Sequence, residues 1–209
     1  MAAFALSETT GWSIVPPTVL RDGPLGKGMV QLWIEPDRDA DVIEMIASDG
    51  RTPAVRRETT ASRAAGPEGP PAKENNHGRT PAKERNYDER LRRVCLFDFL
   101  ANNADRKGGH LLPVVDGHIY GVDHGICFAV EPKLRTVLWA WRGQSLSADE
   151  TEVVLRVRDG LDGELGKELG ALLSPAEVAA TKRRAAALMA AGRFPQPDPN
   201  RPAIPWPPF

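Results

Sequence analysis

The sequence predicts an α+β fold, and three observations carry that expectation. Strand-like runs flanked by turn signals come early, between residues 15 and 34. A second tight hairpin signal sits at Asp116-Gly117. Capped segments with helical apolar spacing fill most of the remainder. Strands and helices therefore follow one another in blocks instead of alternating.

The elements are justified in order. Phe4 to Thr10 reads as a helix end closed by Gly11. Val15-Pro16-Pro17-Thr18-Val19-Leu20 is extended, because each proline fixes φ and its predecessor avoids the helical region. Asp22-Gly23 and Gly26-Lys27-Gly28 are turn signals, and Met29 to Ile34 is then the returning strand. From Tyr87 to Leu100, the positions Leu91, Val94, Cys95, Phe97 and Leu100 form a broad helical face. Leu111–Val115 and His118–Val122 are short apolar runs around the Asp116-Gly117 turn. After Pro132 the pattern reads as helical. Ser147-Ala-Asp-Glu150 and Ser174-Pro175-Ala-Glu177 are capping boxes, the second with proline at the first helical position. Gly192 closes that last helix.

Composition divides the chain into residues 1–47, apolar and ordered-looking; 48–87, a low-complexity insert with almost nothing to bury; 88–192, dense in Val, Leu, Phe and Trp; and 193–209, a tail. The insert reads as disordered and carries two PAKE copies, at 71–74 and 81–84. Seven prolines in the last fifteen residues make the tail extended, a solvated terminus before it is a protein ligand. Insert and tail aside, roughly 150 residues remain, a single-domain size.

Lys+Arg 27 against Asp+Glu 28 gives a net charge of -1, which argues against non-specific nucleic-acid binding. No apolar run reaches membrane-span length. The two cysteines, Cys95 and Cys127, make neither a disulfide framework nor a CxxC metal pair, so a soluble cytoplasmic setting is expected.

The stretch that carries chemistry is Asn102-Asn103-Ala104-Asp105-Arg106-Lys107-Gly108-Gly109-His110, followed by the hairpin and then Val122-Asp123-His124-Gly125. A helix runs into a polar glycine loop with one carboxylate, and a tight hairpin returns the chain to a second. Phosphoryl transfer needs such a pair, one carboxylate to orient the attacking hydroxyl and one to hold the Mg²⁺ that bridges nucleotide phosphates. Lys107 would neutralise the transferring phosphoryl group.

These residues resemble the phosphatidylinositol 3-/4-kinase-like family, in particular bacterial proteins similar to type II phosphatidylinositol 4-kinases. VPPTVL with GMVQLWIEP looks like the strand pair leading into an adenine-binding hinge, NNADRKGGHLL like the catalytic loop, and GVDHGICF like the metal-binding aspartate motif. The resemblance implies a protein-kinase-like fold with a reduced, truncated N-lobe, in which residues 1–47 are the partial N-lobe and hinge, and a mainly helical C-lobe over 88–192. It implies ATP and Mg²⁺ as cofactors, Asp105 as the catalytic-loop aspartate and Asp123 as the metal ligand. The backbone of Trp33, Ile34 and Glu35 would face the adenine. His110 stands where the family has an asparagine, and its imidazole would be the second metal ligand. No lysine precedes Lys27, whereas a kinase-like N-lobe supplies one to the phosphates. The phospho-acceptor, a lipid head group, a protein or a small molecule, stays open.

Other readings compete with this one. A non-catalytic, pseudokinase-like binding module needs no such lysine. His110, His118, His124 and Cys127 invite a zinc hydrolase, although their spacing matches no tetrahedral pattern. Asn102 and Asn103 are expected to brace the loop, Asp98 to act as a buried brace, and Arg106 to be solvated. Trp139 and Trp141 are expected to pack in the core or its rim.

Overall fold

The computed structural model describes residues 1–47 and 87–209, and over these the protein is α+β. The expected insert, apart from Tyr87, lies outside the described residues, as do both PAKE copies. Tyr87 itself is buried and opens a helix.

Helix α1 (Ala2–Thr10) ends where Gly11 takes φ 70 and donates its N–H to Glu8 O, the left-handed stop that glycine adopts without steric cost. Strands β1 (Thr18–Gly23) and β2 (Gly26–Gln31) pair antiparallel, with Thr18 opposite Gln31 and Gly23 opposite Gly26. The returning strand was expected to reach Ile34 but stops at Gln31, and Leu32 makes one more bond, to Pro17 O at 2.8 Å. The hairpin's side chains are mostly exposed. Helix α2 (Val42–Ala47) has no counterpart among the expected elements; Asp41 caps it by accepting from the N–H groups of Ile43 and Glu44.

Helix α3 (Tyr87–Ala101) is the centre of the body. Every residue from Val94 to Ala101 is buried, because α3 is covered on all sides by other parts of the chain. A 3-10 turn at Gly108–His110 leads into β3 (Leu111–Pro113), which pairs with β4 (Ile119–Gly121) around Gly117 at φ 85. Residues 132–146 are irregular where the pattern read as helical. The run Val137 to Trp141 is buried at every position and so has no helical face to present. Its backbone bonds to distant segments instead: Val137 N–H to Arg106 O and Thr136 N–H to Ala203 O. Trp139 and Trp141 are core residues, as expected.

Helices α4 (Ala148–Leu161) and α6 (Pro175–Ala191) open with complete capping boxes at Ser147 and Ser174, and α6 closes at Gly192 with φ 60. The short α5 (Glu164–Gly170) lies between them. Helix α1 packs on α4 and α5, and α6 packs on α3 and α4.

The tail departs most from expectation. Phe194 and Pro205 are buried, and Ala203 O accepts from both Thr136 N–H and the Trp139 indole. The tail is a strap tied to its own chain at Phe194, Ala203, Pro205 and Pro208, with most of its other residues exposed, and not a free terminus.

Arg92 joins α3 to the start of α4. Its guanidinium bonds Glu150 at 2.5 and 2.8 Å and Ser145 O at 2.8 Å, and stacks 4.6 Å from the Phe194 ring centroid. Glu150 is 7% exposed at its side chain, so removing the arginine strands a buried carboxylate. Arg92→Met is expected to lower unfolding stability by about 3 kcal/mol in a urea titration monitored by circular dichroism.

Candidate functional site

The loop after α3 is built by asparagines. Asn102 takes φ 51, a left-handed conformation that asparagine tolerates and that ends the helix. Its amide donates to Ala129 O and Glu131 O, and its carbonyl accepts from Lys133 N–H. Asn103 donates to Asp98 at 3.0 Å and accepts from Asp105 N–H at 3.0 Å. Both brace the loop, as expected.

Arg106 corrects the expectation of a solvated side chain: it is fully buried. Its Nε lies 3.1 and 3.2 Å from the Asp98 oxygens, and Nη2 bonds Asp98 at 3.0 Å. Nη1 donates to His110 O at 3.3 Å and to Val122 O at 3.0 Å, and Nη2 reaches His124 Nε2 at 2.7 Å. Asp98 is the buried brace expected of it, and also accepts from Thr136 Oγ1 at 3.3 Å. One guanidinium therefore holds the segment bearing Asp105 and the segment bearing Asp123. Gly121 permits this approach, since a Cβ there would sit 3.1 Å from Arg106 Nη2.

Around this clamp the candidate residues fall into two pairs. Lys107 Nζ is 3.4 Å from Asp105 Oδ2, with the carboxylate 26% exposed. His110 Nε2 is 3.5 Å from Asp123 Oδ2, with that carboxylate 62% exposed. Asp123 has φ 55, a left-handed conformation that aspartate, like asparagine, tolerates. The buried Nδ1 of His110 has no hydrogen-bond partner among the described residues. Trp33, Ile34 and Glu35 make local contacts. Trp33 Nε1 lies 3.4 Å from Glu35 Oε2, and among the described residues no hydrogen bond or ion pair joins these three to Asp105 or Asp123. The chain beyond them is tied to the hairpin, Asp37 N–H donating to Pro113 O at 2.7 Å.

The three described histidines each make different hydrogen-bond or ion-pair contacts. His118 contacts Ser13 O and Arg90, His124 contacts Arg106, and His110 faces Asp123. Among the described residues no three His, Cys, Asp or Glu side chains form a metal-holding group. Burial pushes the Cys127 thiol up to about 12.

The tail ends on this loop. Gly108 N–H donates to Pro208 O at 2.8 Å, and the Phe209 ring covers Gly108 so closely that a Cβ there would lie 1.9 Å from it. The sequence offered no signal for this contact, nor for the burial of Arg106.

The molecule is a small α+β protein built around a clamped, carboxylate-bearing loop and hairpin. The chain is 39% identical over 218 aligned residues to protein Rv2133c of Mycobacterium tuberculosis, covering all of this chain and 74% of that protein. It belongs to the family of that protein. No family model matches the chain. No helix among the described residues is long and apolar enough to cross a membrane.

Arg106→Lys keeps the charge but loses the planar fork, leaving Asp98 and two carbonyls short of donors. A loss of about 3–5 kcal/mol is expected by urea titration, with faster amide exchange at residues 103–110 and 122–125. Burial first, and then the Arg106 cation, hold His124 well below the ordinary 6.5, with His110 and the chain's amino terminus adding to the effect. The unfolded chain protonates this imidazole below that value while the folded one does not, so stability must fall as pH drops below 6.5. A melting series from about pH 7.5 to about pH 5 should show this slope, and His124→Gln should flatten it.

Proposed function

We propose that the chain is an ATP- and Mg²⁺-dependent phosphotransferase of protein-kinase-like fold. The observation that supports this reading is the Arg106 clamp, which binds the backbone just before Asp123 and itself follows Asp105 in the chain. Two carboxylates from separate motifs are thereby fixed relative to each other, as phosphoryl transfer requires.

In this reading Asp105 accepts a hydrogen bond from the acceptor hydroxyl and orients it. Lys107, already beside Asp105, neutralises charge on the phosphoryl group. The exposed Asp123 carboxylate is a hard oxygen donor suited to Mg²⁺. That cation is commonly held by one or two carboxylates together with substrate phosphates. Mg²⁺ supplies charge neutralisation between nucleotide phosphates. His110 faces Asp123, and its role is to hold that carboxylate or share the metal. The Trp33–Glu35 backbone meets the adenine. The acceptor is a hydroxyl of a lipid head group, a protein or a small molecule.

The second reading is a non-catalytic, pseudokinase-like binding module. It is favoured by the imidazole facing Asp123, which competes with a cation for that carboxylate.

Calorimetric titration of the chain with ATP, with and without Mg²⁺, separates the two. Magnesium-dependent binding is expected, lost in Asp123→Ala and retained in Asp105→Ala. Phosphate transfer should drop by about 10²-fold or more in Asp105→Ala. Binding without transfer to any acceptor favours the module, and no binding by the folded protein sinks both the nucleotide site and the phosphotransferase.

A further inference from the structure

A cavity of about 800 Å³ opens between α6, the segment 130–143 and the first part of the tail, with neither Asp105 nor Asp123 in its wall. The volume is within the range of small-molecule sites. Its floor is apolar, made by the buried side chains of Phe99, Trp139, Leu188 and Phe194.

Among apolar and neutral residues, the wall also carries six cations. Lys133, Arg135, Arg183, Arg184, Arg193 and Arg201 line it, against one carboxylate, Asp198. Three of these cations have partners. Arg184 donates to Leu100 O, Ala129 O and Thr181 Oγ1. Arg201 donates to Pro132 O at 2.7 Å and lies 3.6 Å from Asp198, and Lys133 pairs with Glu131 at 3.0 Å. The guanidinium groups of Arg135, Arg183 and Arg193 pair with no carboxylate among the described residues. Burial, and then the charge of Arg183, lower Arg184 to about 10.

We propose that this cavity binds an amphipathic anion, an acyl chain or ring system that ends in a phosphate or carboxylate. Each half of the wall favours a different part of one ligand. A neutral apolar molecule would draw nothing from the three exposed guanidinium groups, and a bare inorganic anion would draw nothing from the apolar lining that Val130, Leu134 and Ala187 extend beyond the floor. A molecule with both parts lays its apolar body on Phe99, Trp139 and Leu188 and gives its head to planar forks that bind such oxygens two at a time. This site is independent of the phosphotransferase reading, because it shares none of the residues assigned to that chemistry.

The test is calorimetry with octyl phosphate and octanoate below their micelle concentrations, beside octyl glucoside and inorganic phosphate. Saturable one-to-one binding of an anionic amphiphile is expected, more than about tenfold tighter than either control. Two variants report on the two halves. Arg183→Glu with Arg193→Glu removes exposed charge, and Ala187→Trp fills the cavity from an exposed position on α6. Each should weaken binding by about tenfold or more with an unchanged circular dichroism spectrum. Equal binding of octyl glucoside or of inorganic phosphate overturns the proposal, as does unchanged affinity in Ala187→Trp, which stands even if the charge variant fails to fold. Sedimentation with phosphatidic acid vesicles, without binding of the monomeric amphiphiles, also overturns it and makes the face a membrane-docking surface.

Discussion

The ion pair between Asp98 and Arg106 is closed to water, and much of the molecule's centre is arranged to make that tolerable. Moving both charges out of solvent is costly, and attraction alone does not repay it unless the remaining donors and acceptors are met. Here they are met. The arginine's N–H groups reach Asp98, two backbone carbonyls and an imidazole nitrogen, and Asp98 also receives Asn103 and Thr136. The four segments that supply these partners are the end of α3, the loop after it, the return from the hairpin and the irregular stretch at 135–137. None can move alone without leaving a buried polar group unpaired. The placement of the loop and of Asp123 is thus a consequence of one satisfied network, and the half-buried Asp105 and exposed Asp123 at its rim inherit their positions from it.

The proline-rich tail serves the same body in a different way. Proline lacks an N–H but keeps its carbonyl, so an extended proline-rich strap can accept hydrogen bonds from surfaces it crosses while asking for few in return. Ala203 O takes two donors and Pro208 O takes Gly108 N–H. Phe194 anchors the strap at one end against Phe99, and Phe209 lies on the glycine of the loop at the other. The strap walls a basic cavity along its first part and touches the candidate loop along its last. The two regions share the segment around Arg135, whose backbone bonds both Asn103 and Arg106.

Local chemistry made several features legible. The Ser147 and Ser174 boxes, the glycine stops at 11 and 192 and the Asp116-Gly117 turn each act within a few residues, so composition at those positions specifies geometry directly. The same holds for Asn102 and Asn103 as loop braces. Residues 132–146 defeated the periodic reading, because their central run, Val137 to Trp141, is buried at every position and shows no alternation between faces. Arg106 defeated it too: a loop arginine is ordinarily solvated, and nothing local distinguishes one that meets a buried aspartate eight positions away.

The sequence by itself determined the α+β class, the helix stops at Gly11 and Gly192, the helix starts at Ser147 and Ser174, and both hairpins, since each depends on neighbours along the chain. Tertiary structure alone decided that Arg106 is buried, that His110 faces Asp123 and that the tail folds back onto Gly108. It also decided that six cations gather around an apolar floor. Each of these depends on groups brought together from distant parts of the chain by core packing, and no short window of residues contains both partners.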